Sequence, residues 1–161
     1  MHENRILIHK LKNFENINSN FLIITLMLFG SILLAISAKV QVPFWPVPMT
    51  MQTFVIFLIG MTYSVRLSFA TVAFYLFQGA IGLPVFAAGG GVAYLVGPTA
   101  GYLYGMLFAS IVISYLANLG FSKTYFKATV SLLIGSAIIF SFGIIYLGYI
   151  IGFEKAVVAG L

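Results

Sequence analysis

The sequence contains no cysteine and no aspartate, and only three of its 161 residues are acidic. Without cysteine the chain can form neither a disulfide nor a thiolate metal site. The two histidines, His2 and His9, both lie in the polar first 20 residues. The hydrophobic segments therefore carry no imidazole that could bind a metal or act as a general base, and we predict no metal site and no cofactor.

Charged side chains are scarce, and hydrophobic ones are abundant. Charged residues make up 7% of the chain and hydrophobic residues 61%, with a mean hydropathy of +1.10. A soluble domain has about 25% charged and about 45–50% apolar residues. This composition excludes a disordered chain, disfavours an ordinary soluble enzyme, and predicts an all-α protein that crosses the cell membrane several times.

Five hydrophobic segments and the start of a sixth are predicted to be membrane helices. Residues 21–38 would span roughly 27 Å at 1.5 Å per residue, close to the ~30 Å hydrocarbon core of a bilayer. A signal peptide is the alternative, but this run exceeds the usual hydrophobic region of about 7–15 residues. The other predicted helices cover residues 50–63, 67–81, 99–118 and 128–151, and a sixth begins within 152–161.

The chain is predicted to consist of a polar tail, residues 1–20, and one membrane domain, residues 21–161. Two uncharged loops interrupt the membrane domain. Residues 40–48 contain three prolines, which prevent a regular helix, and residues 82–98 contain five glycines and two prolines. Non-helical backbone at membrane depth is tolerated where protein buries it or where it lines a cavity.

The positive charges predict the orientation in the membrane. The tail and alternate loops carry six cations, namely Arg5, Lys10, Lys12, Arg66, Lys123 and Lys127, whereas the other loops carry Lys39 and Lys155. Cytoplasmic loops are enriched in Lys and Arg. The N-terminus is therefore predicted to be cytoplasmic, with both uncharged loops at the outer face. Because the cations are scattered singly, we predict a lipid bilayer and no nucleic acid as the partner.

Several polar side chains in apolar surroundings are candidates for ligand binding. Lys39 either extends to the membrane surface to anchor its helix or pairs with an anionic ligand. Gln52 and Gln78 either form hydrogen bonds between helices or bind a ligand, since an unpaired buried amide costs about 1–3 kcal/mol. Hydroxyl groups could come from Thr50, Thr99, Tyr75, Tyr94 and Tyr102, although tyrosines in membrane proteins often lie at the bilayer surface instead.

Enzymatic functions find little support in the residues. The only acids are Glu3, Glu15 and Glu154, so no paired carboxylates lie within the hydrophobic segments. The glycine run at residues 89–91 is not followed by the Lys and Ser or Thr of a nucleotide-binding P-loop. We therefore predict that the protein is not an enzyme.

Small residues spaced four apart recur along the predicted helices. Gly101 and Gly105 form such a pair, as do Ser31 and Ala35 in the first helix. Pairs of this kind let two helices approach closely. Most are expected to serve internal packing, and one could contact a partner subunit.

Two segments resemble the BioY family, the biotin-specific S components of energy-coupling factor transporters. They are PVPMTMQT at residues 46–53 and GAIGLPVFAAGGGVAYLVGPTAGYLYG at residues 79–105. The order and spacing of these motifs also fit the family, and the resemblance covers roughly residues 31–161. It implies a fold of six membrane helices, with a substrate pocket on the outer side capped by the loops after helices one and three.

The resemblance also implies a function and partners. An S component binds its vitamin from outside and topples in the membrane to release it. Its partners are a transmembrane coupling subunit and two cytoplasmic ATPases, and ATP hydrolysis by this module resets it. S components contact the coupling subunit through small residues of helix one, a pattern that Ser31 and Ala35 match with Ser in place of the first Ala. As a hypothesis, we take the substrate-binding residues to be Lys39, Thr50, Gln52, Gln78, Phe86, Gly90, Tyr94, Thr99 and Tyr102.

Biotin has an apolar bicycle, a ureido group and a carboxylate, and an apolar pocket with a few polar groups would suit it. We expect Gln52, Thr50 and Tyr94 to face the ureido group and Lys39 to face the carboxylate. Family members continue past the position of Leu161 with a segment that supplies an Asp and a Lys toward biotin. We therefore expect this chain to be a fragment that stops within the last helix.

Three other functions remain open at this point. An S component for another vitamin, such as riboflavin or thiamine, would differ in which ligand competes for binding. A small membrane protein with a structural or assembly role would show no saturable ligand binding. A membrane enzyme is disfavoured by the missing acids and histidines.

Overall fold

The computed structural model describes residues 19–45 and 47–160, and this part of the chain is predominantly helical. The predicted tail therefore lies outside the described residues, except for Ser19 and Asn20, as do Pro46 and Leu161. The described helices are α1 (Ser19–Lys39), α2 (Gln52–Thr62), α3 (Val65–Ala80), α4 (Val92–Leu95), α5 (Ala100–Asn118), α6 (Tyr125–Ile151) and α7 (Phe153–Gly160). A short antiparallel hairpin joins β1 (Gln41–Val42) to β2 (Met49–Thr50), and a 3-10 turn covers Phe121–Lys123.

Three of the described helices are long and apolar enough to cross a membrane. They cover Asn20–Lys39, Ala100–Asn118 and Tyr125–Ile151. The α2 helix is also apolar but has only 11 residues, as the short predicted segment suggested. The predicted helical membrane architecture is confirmed, with one short β-hairpin added.

Several predicted boundaries differ from the observed ones. The α3 helix begins at Val65 and α6 at Tyr125, so that Arg66 and Lys127, which were assigned to loops, lie in the first turns of helices. Ser64 and Thr124 precede these helices in extended conformation, and neither side chain forms a capping hydrogen bond, although Ser and Thr are common in that position. The charged residues alone therefore placed these helix starts too late.

The two uncharged loops contain secondary structure that the sequence did not predict. Thr50 belongs to β2 and pairs with Gln41, so the following helix begins only at Gln52. The second loop contains the single-turn helix α4. The predicted start of a sixth helix is observed as α7, which is separated from α6 at Gly152 by a positive φ of 89°.

The α5 helix lies at the centre of the packing and contacts α2, α3 and α6, while α1 packs against α3 and α2. The buried core follows these contacts. Its largest fully buried apolar side chains are Tyr75, Phe86, Leu34, Ile56, Ile113, Leu147 and Val72. Residues of α1, α2, α3, α5 and α6 and of the second loop thus share one core.

Glycines allow α5 and α6 to approach closely. A Cβ at Gly105 would come within 2.9 Å of the Ile139 Cα and 3.0 Å of its carbonyl oxygen, and one at Gly101 would overlap the backbone of α6 near Phe142. Gly143 of α6 leaves room in turn for the Tyr102 ring. The predicted small-residue pair of α5 therefore serves internal packing.

Hydroxyl groups join the helices at the end of the bundle where α2 meets α3. Ser114 of α5 donates to the carbonyl of Tyr63 at 2.5 Å, and the Tyr63 hydroxyl donates to the carbonyl of Leu26 in α1 at 2.9 Å. Ser68 of α3 donates to the carbonyl of Ser110 at 3.2 Å. These bonds satisfy buried hydroxyl groups and connect α1, α3 and α5 at this end of the bundle. The two uncharged loops lie at the opposite end.

Replacing Gly105 by alanine is expected to destabilise the protein. The new methyl group meets the α6 backbone, and overpacking of this kind costs about 1–3 kcal/mol. The higher helix propensity of alanine returns up to about 1 kcal/mol, so we expect a net loss of about 1–2 kcal/mol. The measurement is thermal unfolding in detergent, followed by circular dichroism.

Gly97→Ala is the matched control, because a Cβ there meets only the carbonyl oxygens of Ala93 and Tyr94, at 3.4 and 3.5 Å. Its melting temperature should stay near that of the unchanged protein. Equal melting temperatures for the Gly105 and Gly97 variants would contradict the close α5–α6 packing.

Candidate ligand-binding cavity

A cavity of about 390 Å³ lies at the end of the bundle that carries the two uncharged loops. It is enclosed by the hairpin segment, residues 41–50, and by α2, α4, α5 and α6. This volume falls within the ~300–1,000 Å³ of small-molecule sites. The hairpin segment and the residues after it contribute Phe44, Trp45, Val47, Pro48, Met49, Thr50, Gln52 and Thr53. The second loop and the long helices contribute Ala87, Tyr94, Thr99, Tyr102, Leu103, Met106, Ile139 and Phe140.

The walls of the cavity are mainly apolar and aromatic. Trp45 contributes to the lining although its side chain is 89% exposed. The lining also includes the polar side chains of Thr50, Gln52, Thr53 and Thr99 and the two tyrosines Tyr94 and Tyr102. An apolar cavity with a few polar groups can bury an apolar ligand and orient it through a small number of hydrogen bonds.

Phe86 supports the cavity by packing against Tyr94, one of the lining residues. Its side chain is fully buried, its ring stacks on that of Tyr94 at 4.8 Å, and the edge of Tyr75 meets it at 5.5 Å. A Cβ at Gly79 would overlap the Phe86 ring, so only glycine leaves this space in α3. Phe86 therefore acts through Tyr94, which does line the cavity.

The backbone of the second loop folds tightly around this ring. Phe86 and Gly89 exchange backbone hydrogen bonds of 2.8 and 3.3 Å, and the amide of Gly91 donates to the carbonyl of Gly79 at 2.7 Å. A Cβ at Gly90 would overlap the carbonyl oxygen of Leu83. The glycine run at residues 89–91 thus lets the loop backbone pack closely against the backbone of Gly79 and Leu83.

Lys39 lies at the end of α1 and connects the two loops. Its ammonium group donates to the carbonyl oxygen of Phe86 at 2.6 Å, and the neighbouring Gln41 amide donates to the carbonyl of Ala87 at 3.4 Å. The ammonium is therefore directed at the loop backbone, and its pairing with a ligand carboxylate stays a prediction.

Gln52 is 3% exposed and is held by partners on both sides of its amide. Its Nε2 donates to the Tyr75 hydroxyl at 2.7 Å, and its Oε1 accepts from the Thr50 hydroxyl at 3.1 Å. The Tyr75 hydroxyl in turn donates to the carbonyl of Val85 at 3.0 Å. Gln52 thus makes the hydrogen bond between helices that was one of its two predicted roles, and it also lines the cavity.

The structure brings five of the nine predicted substrate-binding residues together around the cavity. These are Thr50, Gln52, Tyr94, Thr99 and Tyr102. Lys39, Gln78, Phe86 and Gly90 lie outside the described lining, with Gln78 partly buried at the end of α3. Tyr75, considered as a source of a cavity hydroxyl, lies behind Gln52 instead.

Sequence reasoning did not identify the apolar residues of the cavity wall. Met106, Ile139 and Phe140 belong to helices that are apolar on every side, so hydrophobic periodicity does not distinguish a cavity face from a lipid face. Phe44 and Val47 lie beside the prolines of the hairpin segment, and this proline cluster was the only local signal for them.

The predicted partner-contact residues lie on the inner side of α1. Ser31 is fully buried and donates to the carbonyl of Leu28 at 3.0 Å, and Ala35 is partly buried against the core. Their contact with a partner subunit stays a prediction. Within residues 19–45 and 47–160, no group of three His, Cys, Asp or Glu side chains could hold a metal ion.

Known proteins resemble this chain over most of its length. Residues 10–161 match the model of the BioY family. A probable biotin transporter BioY of Rickettsia prowazekii (strain Madrid E) is 35% identical over 144 residues, which are 89% of this chain and 74% of that protein. The biotin transporter BioY of Thermotoga maritima is 38% identical over 130 residues, covering 80% of this chain and 76% of that protein.

A solved structure shares the fold. The crystal structure of the S component for biotin from an ECF-type ABC transporter superposes with a TM-score of 0.75, covering 89% of this chain and 83% of that one at 24% identity. The fold expected from the motifs is thus confirmed as that of an S component. Since the family model spans nearly the whole sequence and relatives above 30% identity cover most of it, the chain belongs to the BioY family.

Proposed function

We propose that this protein is the membrane S component of a biotin uptake system. The observation that carries the proposal is the cavity of about 390 Å³, whose mainly apolar walls and polar corner, formed by Thr50 and Gln52, suit an apolar bicycle with one ureido group. Membership of the BioY family and the names of the relatives as biotin transporters support the same ligand.

The chemistry of the cavity suggests how biotin would lie. Thr50 and Gln52 would meet the ureido group, and the rings of Tyr94 and Tyr102 would pack against the bicycle. Each hydrogen bond would replace one that biotin makes with water, so the net gain per bond is about 0.5–1.5 kcal/mol. The apolar contacts would supply the larger part of the affinity.

The purified chain in detergent is expected to bind labelled biotin saturably. Unlabelled biotin should displace the label, whereas riboflavin and thiamine should not, because the polar corner is small and the walls are apolar. Thr50→Val removes one cavity hydroxyl and should weaken binding by roughly fivefold or more, corresponding to about 1 kcal/mol or more. Equilibrium dialysis measures the competition between ligands and the affinity of the Thr50 variant.

Thr62→Val is the matched control, because Thr62 lies at the far end of α2 and its hydroxyl bonds only within that helix, to Leu58. It should bind biotin like the unchanged protein. Displacement of labelled biotin by riboflavin or thiamine would mean that the cavity takes another vitamin and would contradict the biotin proposal. The absence of saturable binding for all three would favour a structural or assembly role.

Lys39 is proposed to exchange the Phe86 carbonyl for the carboxylate of biotin. A carboxylate forms the stronger, charge-assisted hydrogen bond with an ammonium group. Lys39→Met should therefore lower the affinity for biotin by roughly tenfold and leave the affinity for biotin amide, which has no carboxylate, nearly unchanged. Calorimetric titration with the two ligands measures the difference.

Lys123→Met serves as the control, since Lys123 lies in the 3-10 turn at the other end of the bundle. A loss of affinity for biotin and biotin amide alike in the Lys39 variant would mean that Lys39 only holds the loop. Undiminished biotin binding would remove Lys39 from the site.

We also propose that the N-terminus is cytoplasmic and that the cavity opens to the outer face. Arg66, Lys123 and Lys127 all lie at the end of the bundle opposite the cavity, which agrees with the enrichment of Lys and Arg in cytoplasmic loops. Biotin would then enter directly from outside.

The orientation can be tested with single cysteines, because the chain contains none of its own. In intact cells a membrane-impermeant maleimide should label Val92→Cys, which replaces an exposed residue of the second loop, and should leave Thr124→Cys unlabelled. Lysis should expose both. Labelling of Thr124→Cys alone in intact cells would contradict this orientation and place the cavity on the cytoplasmic side.

For transport, we propose that the protein acts with a transmembrane coupling subunit and two cytoplasmic ATPases, and that it is not itself an enzyme. The support is the structural likeness to an S component of an ECF-type ABC transporter. Capture of biotin would then belong to this chain, and ATP hydrolysis to the partners.

A further inference from the structure

Tyr75 lies at the centre of a hydrogen-bonded chain that links the second loop to the cavity. Its hydroxyl lies 3.0 Å from the carbonyl oxygen of Val85 and 2.7 Å from Nε2 of Gln52. The Oε1 of Gln52 lies 3.1 Å from the hydroxyl of Thr50. Gln52 and Thr50 line the cavity, while Tyr75 is 1% exposed and lies behind them.

The direction of every bond in this chain follows from its first member. A carbonyl oxygen only accepts, so Tyr75 donates its single hydroxyl hydrogen to Val85. The Tyr75 oxygen must then accept from Gln52, which turns the amide nitrogen of Gln52 toward Tyr75 and its amide oxygen toward Thr50. Thr50 consequently donates its own hydrogen to Gln52.

The reversed amide is unfavourable for the same reason. If the Gln52 oxygen faced Tyr75, the tyrosine would give its only hydrogen to Gln52, and the Val85 carbonyl would lose this donor. An unsatisfied polar group in the protein interior costs more than a typical hydrogen bond contributes. The loop backbone therefore determines which way the Gln52 amide is oriented.

This order determines what the polar corner offers a ligand. The Thr50 hydroxyl has given away its hydrogen, so toward the cavity it can only accept. The Gln52 nitrogen has one N–H left, which can only donate. The corner thus combines an acceptor with a neighbouring donor, the complement of the N–H and C=O of a cyclic urea.

We propose that Tyr75 is a positioning residue that sets ligand specificity: by fixing the orientation of the Gln52 amide, it selects a ligand with an N–H donor beside a C=O acceptor. This inference rests on the proposed biotin function, since the urea is that of biotin. The Tyr75 ring also meets that of Phe86 edge to face, but its hydroxyl reaches the cavity through Gln52, so loss of the hydroxyl concerns the choice between ligands more than the strength of binding.

The test compares two ligands that differ only at the ureido group. Iminobiotin carries a protonated imine, a donor, where biotin carries the acceptor oxygen. The unchanged protein should prefer biotin. In Tyr75→Phe the hydroxyl is lost, the Gln52 amide is free to reverse, and its oxygen can accept from the imine. We expect the preference for biotin to fall by about tenfold or more.

Tyr63→Phe is the matched control. Tyr63 is also buried and donates to a backbone carbonyl, that of Leu26, but it lies at the opposite end of the bundle. The same chemical change there should leave the ratio of the two affinities unaltered, even if it lowers the melting temperature. A structural effect alone would not move this ratio.

The outcomes separate the two proposals. If the unchanged protein binds neither ligand, the biotin function fails, and this inference fails with it. If it binds biotin and Tyr75→Phe keeps the same ratio as Tyr63→Phe, the role of Tyr75 is overturned while the biotin function stands.

If Tyr75→Phe does not fold, Gln52→Glu tests the premise of the inference, namely that the Gln52 nitrogen donates to the ureido oxygen. It places an oxygen where the amide nitrogen donated, and the ratio should move toward iminobiotin by tenfold or more. An unchanged ratio in this variant would overturn the inference.

Discussion

The packing of the Phe86 ring against Gly79 is the contact on which the cavity depends. The ring occupies space that any side chain on α3 at that position would fill. Tyr94 stacks on it from the cavity side, and Lys39 binds its carbonyl from the end of α1. The ring and the backbone carbonyl of Phe86 therefore tie the second loop to α3 and α1, and the bond from Gln41 to the Ala87 carbonyl ties it to the hairpin.

The same constraint explains why the loop can be irregular. Backbone amides and carbonyls in apolar surroundings need partners, and the loop finds them in its own tight turn, in Gly79, in Tyr75 and in Lys39. At the other end of the bundle, hydroxyls of Ser114 and Tyr63 bond helix carbonyls directly. At the end that contains Ser114 and Tyr63, hydroxyl groups connect the helices to one another. At the end that carries the two loops, the loops and helices enclose the cavity.

Much of the fold could be predicted from the sequence because its signals are local. Hydrophobic length predicted the spanning helices, proline and glycine predicted the two loops, and the Gly101–Gly105 pair predicted close helix packing. Helix starts were missed at Val65 and Tyr125, because Arg66 and Lys127 were assigned to loops although each lies in the first turn of its helix. The β1–β2 hairpin was missed because its two-residue strands have no detectable pattern.

The candidate site was predicted only in part, for a physical reason. Polar residues in an apolar chain are conspicuous, so Thr50, Gln52 and Thr99 were identified before their positions were known. Apolar wall residues such as Met106 and Ile139 do not differ from those that face lipid.

By itself the sequence determined that the chain is a helical membrane protein with two uncharged loops and the motifs of its family. These properties follow from composition and from residues close together along the chain. Only the tertiary structure decided that Lys39 binds the Phe86 carbonyl and that Tyr75 orients Gln52. Those contacts join residues 47 and 23 positions apart, and hydrogen bonds between such distant residues depend on how the helices pack.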